Sequence, residues 1–149
     1  HQLNDKWSLL ADASWTNWSL FEHLTITNKN TTTVRQSIHE NWDDSYFVSV
    51  GTEYMPDEKS TYQIGFAFDK SPVKDDYRTF RVPDSDRYWV SLGYLRNFGT
   101  KGSLALGYSH IFAEGASVTE DASATTNGTV SGNFDAHVDV VAANYTYRF

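Results

Sequence analysis

The densest group of residues that could do chemistry lies in the segment SPVKDDYRTFRVPDSDR, residues 71–87. Its prolines fix the backbone angle φ, and its aspartates, serines and arginines can bond to one another or to backbone groups of a long loop. We favour a structural staple, in which Asp84 or Asp86 pairs with Arg78 or Arg87, over a wall of a ligand groove. This loop motif comprises Asp69, Ser71, Pro72, Arg78, Pro83, Asp84, Asp86 and Arg87.

Three further residues are candidates for a ligand path. Arg35 could bind a carboxylate through a charge-assisted pair, although a solvated residue at the rim is the favoured interpretation. Phe47 and Trp89 interrupt strand faces that are otherwise small and polar. A bulky aromatic side chain at such a position could line an apolar path or pack against another part of the protein, and the sequence leaves both interpretations open.

Catalytic and cofactor chemistry has little support. The five histidines show no metal-ligand spacing on a common face. Ser109 and His110 are adjacent, so in a strand they point to opposite faces and cannot form a nucleophile–base pair. The net charge of −7 argues against a nucleic-acid partner, and the absence of cysteine excludes disulfides and thiolate metal sites. We therefore predict no catalytic residue, no metal and no cofactor.

The elements that must position these residues are strands, because apolar residues recur with period two between turn-rich connectors. The apolar phase shifts after Asn17, which indicates a β-bulge or an exit from the apolar layer. Connectors alternate between short turns and long polar loops, a pattern typical of an up-and-down meander in one domain. The six predicted strands are Lys6–Thr27, Thr32–Met55, Thr61–Asp69, Arg87–Phe98, the stretch around Leu104–Phe112, and the closing residues 135–149.

The two faces of these strands differ in a way that favours a membrane barrel over a soluble β-barrel ligand-binding protein. A soluble, half-buried strand also alternates, but here the less apolar face is small and neutral rather than charged. Tyrosine and tryptophan recur at strand ends, where membrane barrels carry aromatic girdles. Trp42 is interpreted as a girdle residue rather than a loop anchor. The predicted girdle is Trp7, Trp15, Tyr46, Tyr54, Tyr62, Tyr88, Tyr94, Tyr145 and Tyr147.

The closing stretch VVAANYTYRF predicts a lipid-facing row and a lumen-facing row. Val141, Ala143, Tyr145, Tyr147 and Phe149 would face lipid, and the residues between them would face the lumen. An alternating strand that ends on phenylalanine resembles the signal by which outer-membrane proteins reach the barrel-insertion machinery.

Three stretches carry a family resemblance: WSLLADASWTNWSLFEHLTI, WDDSYFVSVGTEYMPDEKSTYQIGFAFDKSPV and RTFRVPDSDRYWVSLGY. They resemble the C-terminal part of the FadL family, outer-membrane transporters for long-chain fatty acids with close relatives that admit aromatic hydrocarbons. The resemblance implies an all-β, antiparallel up-and-down transmembrane β-barrel of fourteen strands, of which about six are present. Residues 1–149 are then expected to be the C-terminal segment of one barrel domain, without an internal boundary.

The resemblance also implies a function: passive uptake of hydrophobic small molecules through the outer membrane of a Gram-negative bacterium. Implied partners are the ligand, outer-membrane lipid and lipopolysaccharide, the N-terminal part of the same barrel, and the insertion machinery. In the fatty-acid transporters a basic residue on the second of these strands serves the carboxylate, but Ile38 stands there, which favours a neutral hydrocarbon. A soluble ligand binder and an outer-membrane hydrolase are the alternatives.

Overall fold

The structure, a computed structural model, describes residues 1–30, 33–122 and 128–149. It is built from β-strands and two single 3-10 turns, Trp18–Leu20 and Asp75–Tyr77. Within the described ranges, no helix is long and apolar enough to cross a membrane. The strands are β1 (Trp7–Thr16), β2 (His23–Thr27), β3 (Val34–His39), β4 (Ser45–Asp57), β5 (Ser60–Asp69), β6 (Arg87–Phe98), β7 (Gly102–Ala113), β8 (Ala116–Ala122), β9 (Gly128–Phe134) and β10 (His137–Tyr147).

Six of these strands form one antiparallel sheet in the order β1-β4-β5-β6-β7-β10. Strand neighbours in space follow one another along the chain once the two hairpins, β2–β3 and β8–β9, are set aside. The predicted all-β, antiparallel up-and-down architecture is confirmed. At one end the turns are short: Asp57 Oδ1 accepts the backbone N–H groups of Lys59 and Ser60 at 2.8 and 2.7 Å, and Gly99 supplies a positive φ between β6 and β7.

The first two predicted strands were wrong in extent, because each is broken into two. The predicted strand Lys6–Thr27 divides into β1 and β2, and Thr32–Met55 divides into β3 and β4. The reason is pairing: β2 and β3 bond to each other and leave the sheet as a hairpin. The apolar phase shift after Asn17 therefore marks an exit from the sheet.

The long polar connector after β7 was predicted as a loop, but it contains the hairpin β8–β9. Ala116 and Val118 on this hairpin are among the most buried residues described, only 2% and 1% exposed. The sequence pattern did not reveal the hairpin, because most of its residues are small or polar.

Burial across the main sheet is the reverse of that in a soluble protein. On β4, Tyr46, Val48 and Val50 are each about half exposed, at 49%, 47% and 48%. Phe47 and Ser49, which point the other way, are partly covered. A soluble sheet packs its apolar face and hydrates its polar face, so this sheet requires apolar surroundings. We call the exposed side the apolar face and the other the inner face.

Aromatic rings pair across strands on the apolar face near the short turns. Trp7 and Tyr54 are paired in register, with ring centroids 4.6 Å apart. Tyr62 and Tyr94 continue the same row at 5.1 Å. Such cross-strand aromatic pairs each contribute about 0.5–1.5 kcal/mol beyond the area they bury.

Candidate functional site

The loop after β5 is fastened by side chains of the loop motif. Ser71 donates its backbone N–H to Asp86 Oδ1 at 2.9 Å and its hydroxyl to Asp84 Oδ2 at 2.8 Å. The Ser71 hydroxyl also accepts the backbone N–H of Val73 at 3.1 Å. Pro72 contributes its carbonyl, which accepts the N–H of Asp43 at 2.8 Å. The bonds from Ser71 to Asp84 and Asp86 hold the chain that leaves β5 against the chain that enters β6, and the Pro72 bond ties it to the segment before β4.

Arg87, the first residue of β6, lies between two carboxylates. Its Nη2 is 3.1 Å from Asp69 Oδ2, and its Nη1 is 3.0 Å from Asp84 Oδ1. Arg87 and Asp69 are also register partners on the inner face, next to Phe47. The Arg87 guanidinium therefore joins Asp69, the last residue of β5, to Asp84 in the loop that precedes β6.

Arg78 joins the same loop to the β8–β9 hairpin. Its side chain is only 8% exposed. Its Nε donates to the carbonyl of Asp84 at 2.9 Å, its Nη1 donates to the carbonyl of Ser117 at 3.3 Å, and its Nη2 lies 2.7 Å from Asp75 Oδ1. The guanidinium therefore bridges two backbone segments that are far apart in sequence.

A polar cavity of about 960 Å³ lies between this loop and the hairpin. Its walls include Lys70, Lys74 and Arg78 as well as acidic groups such as Asp75 and Glu114. Several of these groups are already paired; for example, Lys74 Nζ lies 2.9 Å from Asp43 Oδ1. The cavity can hold water or a polar solute, but its walls are not apolar.

A second cavity, which we call the inner groove, lies on the inner face of the sheet and has a volume of about 390 Å³. Gly51 and Gly65 are register partners on its floor. A Cβ atom added at Gly51 would lie 3.1 Å from the carbonyl oxygen of Ile64, so glycine is the residue that fits there. The residues that define the inner groove here are Leu10, Asp12, Phe47, Gly51, Gly65 and Trp89.

Strand β6 carries two unpaired hydrogen-bond donors on its inner face. Among the described residues, only Arg87 Nε and Trp89 Nε1 are buried side-chain nitrogen or oxygen atoms without a partner. The two residues are two positions apart in β6 and therefore point to the same, inner face. An unpaired buried donor costs about 1–3 kcal/mol, so these two groups are energetically costly within the part of the chain that the structure describes.

Comparison with known proteins identifies the family. A family model described as outer membrane protein transport protein (OMPP1/FadL/TodX) matches residues 1–149. The chain belongs to this family. It is 32% identical over 120 residues to the long-chain fatty acid transport protein of Escherichia coli K12, covering 80% of this chain and 27% of that protein. It is 29% identical over 157 residues to outer membrane protein P1 of Haemophilus influenzae, covering 100% of this chain and 33% of that protein.

The solved structures give the same result. A crystal structure of a Pseudomonas aeruginosa FadL homologue superimposes with a TM-score of 0.89 and 30% sequence identity. The match covers 99% of this chain and 33% of that chain. This chain therefore spans about a third of the length of the relatives it matches, and it holds only part of the family's barrel. The predicted family and the predicted outer-membrane location are both confirmed.

The FadL-family fold does not bring Arg35 to the inner groove. Arg35 was predicted to lie on the second strand of the sheet, but it is exposed at a bulge in β3, in the hairpin that leaves the sheet. Ile38 lies on the same hairpin, paired with Leu24. Phe47 and Trp89, in contrast, both line the inner groove, although they lie on different strands, β4 and β6, and are not register partners.

Trp42 was predicted as a girdle residue, and this was wrong. It lies between β3 and β4, with its ring packed edge-on against Trp18 at 5.4 Å and Phe21 at 4.9 Å. Its Nε1 donates to Glu40 Oε2 at 3.1 Å. Trp42 therefore anchors the base of the β2–β3 hairpin.

The residues predicted to face lipid all lie on the apolar face or, for Phe149, just beyond β10. Tyr145 and Tyr147 are exposed, and Phe149 packs its ring edge-on against Tyr147 at 5.2 Å. Their role as a girdle and an insertion signal stays a prediction. Pro83 belongs to the loop motif by sequence, and it lies partly covered between Val82 and Asp84.

A polar cluster on the apolar face was missed by the sequence analysis. Asp139 accepts the Tyr108 hydroxyl at 2.6 Å and lies 2.7 Å from His110 Nδ1. Ser109, on the other face, shares a 2.8 Å hydrogen bond with Ser91, so Ser109 and His110 point apart as alternation predicts. No group of three acidic, histidine or cysteine residues in the described part of the chain could hold a metal.

Asp12 and the glycine pair were also missed as inner-groove residues. Asp12, Ser49, Ala67 and Trp89 form one cross-strand row on the inner face. Only the strand register shows that they share a groove. A sequence pattern assigns each residue to a face of the sheet, but it does not say which residue of the neighbouring strand lies opposite. The Gly51 and Gly65 positions in neighbouring alternating strands were the available signal.

Proposed function

We propose that this chain forms part of the wall of an outer-membrane channel through which hydrophobic small molecules enter passively. The observation that carries this proposal is the inner groove, a concavity with aromatic and aliphatic walls on the inner face of a sheet whose outer face is apolar. Membrane barrels usually have a polar interior, so an apolar groove there is unusual and suits an apolar solute. Long-chain fatty acids and aromatic hydrocarbons are the candidate ligands.

The remaining partners follow from the faces and edges of the sheet. The apolar face would contact outer-membrane lipid, with lipopolysaccharide at the end that carries the long loops. Among the described residues, β1 and β10 each have only one neighbour in the sheet. Unpaired strand edges do not persist in lipid, so we propose that other strands of the same barrel pair with β1 and β10. The insertion machinery would recognise the alternating residues of β10.

The test is uptake by the complete protein of oleate and toluene into liposomes with a lipopolysaccharide outer leaflet. We expect at least one of the two to enter faster than into protein-free liposomes. Filling the inner groove by Ala67→Phe should reduce that rate, whereas Ala13→Phe, which adds the same ring on the apolar face of β1, should not. Exclusion of both solutes would contradict the channel proposal.

Two other functions make different predictions. A soluble β-barrel binding protein would stay folded and monomeric without detergent or lipid, whereas the apolar face predicts aggregation. An outer-membrane hydrolase would cleave acyl esters in detergent and lose activity on mutation of one serine and one histidine. We propose that the protein is not an enzyme, which is supported by transport proteins among its relatives.

A further inference from the structure

Asp12 is the one ionisable side chain in the wall of the inner groove. It is exposed on the inner face of β1, and within the part of the chain that the structure describes its carboxylate has no hydrogen bond and no ion pair. The aspartates of the loop motif differ, since Asp69, Asp84 and Asp86 each bind a donor of that motif. The Asp12 carboxylate can therefore contact a molecule that lies in the groove.

The strand register brings an aromatic ring next to this carboxylate. Asp12 is paired with Ser49, and Phe47 lies two residues away from Ser49 on the same face of β4. Diagonal neighbours of this kind lie about 7–8 Å apart, which is within reach of an aromatic side chain. Because Ser49 is small, one head group above it can contact both the Asp12 carboxylate and the Phe47 ring.

The rest of the groove suits an alkyl chain. Trp89 lines the groove, but its indole N–H is buried, so the ring presents carbon atoms to the groove. Trp89 lies three strand spacings, about 14 Å, from Asp12. The floor between them is formed by the small residues Gly51, Gly65 and Ala67. A chain can therefore extend over this floor from the head-group position toward Trp89.

A carboxylate next to an aromatic ring attracts a cation. The carboxylate attracts it by charge, and the electron-rich face of the ring adds a cation–π attraction. A fatty-acid anion would meet a like charge at Asp12 instead, and a neutral chain would leave the carboxylate without a partner. The formal net charge of −7 also favours the approach of cations to this protein.

We propose that Asp12 and Phe47 form a head-group site for a cationic amphiphile, an alkylammonium ion whose charge lies against them while its chain lies along the inner groove. This inference rests on the proposed channel function and adds a class of ligand to it. It separates alkylammonium ions from fatty-acid anions and from neutral alcohols.

The test uses the complete purified protein in one uncharged detergent and three probes of equal chain length: dodecyltrimethylammonium, 1-dodecanol and dodecanoate. Asp12→Asn keeps the shape of the side chain and removes its charge. It should weaken dodecyltrimethylammonium about 5- to 30-fold, the range for losing one partly hydrated charge about 5 Å away, and should leave 1-dodecanol unchanged. Comparing variant with wild type for one probe cancels its partition into detergent.

Asp5→Asn is the matched control, because Asp5 is exposed outside the groove and its loss changes the net charge equally. It should alter none of the three affinities. Phe47→Leu keeps an apolar side chain and removes the ring, so it should weaken dodecyltrimethylammonium about 2- to 5-fold more than it weakens 1-dodecanol. Equal losses for these two probes would overturn the role of Phe47.

The proposal and the channel function fail in different ways. Equal effects of Asp12→Asn and Asp5→Asn would overturn the proposal, because only the net charge would then matter. Unchanged binding of dodecyltrimethylammonium in Asp12→Asn, with 1-dodecanol still bound, would also overturn it and leave the channel function standing. Weaker binding of dodecanoate in that variant would have the wrong sign for a like charge. Binding of none of the three probes would contradict the channel function itself.

Discussion

Arg78 is the residue whose loss should most clearly separate the loop from the barrel wall. Its guanidinium is nearly buried and donates to the backbone carbonyls of Asp84 and Ser117, which belong to the loop motif and to β8. We predict that Arg78→Ala opens the loop and the hairpin while leaving the six-stranded sheet intact. The bonds lost are local, and the sheet's own ladders do not involve Arg78.

The size of the effect follows from the bonds that are lost. A hydrogen bond to a charged group contributes about 1.5–3 kcal/mol, and two are removed. The ion pair with Asp75 adds little, because the Asp75 side chain is 87% exposed. Since water can reach the freed carbonyls once the loop moves, we expect a net loss of about 2–4 kcal/mol in the free energy of local opening.

Hydrogen exchange of the detergent-folded complete protein measures this quantity directly. A loss of 2 kcal/mol corresponds to exchange that is about 30-fold faster in the affected peptides, residues 70–86 and 116–120. Peptides from β5 and β6 should be unchanged. Arg81→Ala is the matched control, because Arg81 is an exposed arginine in the same loop.

Two results would refute the reasoning. If Arg78→Ala and Arg81→Ala had equal effects, the burial and bonding of Arg78 would contribute nothing. If the faster exchange extended to β5 and β6, the loop would be part of the barrel's cooperative unit.

Three further predictions concern the inner groove and one loop contact. Gly65→Leu should lower uptake of neutral solutes several-fold without destabilising the sheet, because a Cβ at Gly65 lies an ordinary 3.7 Å from the Val50 carbonyl oxygen; an unchanged rate would exclude the groove as the path. Asp12→Asn removes the one ionisable side chain in the wall of the inner groove, and it should improve binding of dodecanoate relative to 1-dodecanol by about 1.5- to 3-fold, the range for removing one charge about 14 Å away, the distance across the three strand spacings from Asp12 to Trp89; competition binding would show no change if neither ligand entered the inner groove. Hydrogen bonds from Ser19, with a further one from the Trp15 indole, hold the pKa of the Asp44 carboxyl below its usual value of 3.8. These bonds favour the ionised carboxylate, so the stability they give the folded state is present above the unfolded pKa of Asp44 and is lost as pH falls through its lower folded pKa. Exchange protection of the Ser19 amide should therefore drop below about pH 4 in the wild type but not in Asp44→Asn.

The sequence predicts strands and faces well where the two-residue period is unbroken. Strand β6 has the predicted bounds Arg87–Phe98, because its alternation runs from the loop motif to the turn at Gly99. The motif pairing of Arg87 with Asp84 was likewise among the predicted contacts, since both residues lie in one short segment.

Features set by pairing between distant strands could not be read from the pattern. The residues of β2 and β3 alternate as those of a sheet strand do. Because β2 and β3 bond to each other and not to the main sheet, the hairpin and its residue Arg35 lie outside the sheet. The inner groove depends on a register that places Asp12 opposite Ser49 and Ala67 opposite Trp89. A shift of the register by one residue would turn each of these side chains to the other face of the sheet. The sequence of one strand alone does not specify that register.

The loop motif borders the inner groove, because Asp69 is the register partner of Arg87 on one side and of Phe47, which lines the groove, on the other. Asp84 binds both Ser71 and Arg87, and Asp69 engages the other terminal nitrogen of the same guanidinium. The bonds that fasten the loop therefore also hold the end of β5 to the start of β6, next to Phe47 in the wall of the inner groove. A substitution at Asp84 would release both contacts at once, and this links the way the loop is held to the shape of the groove wall.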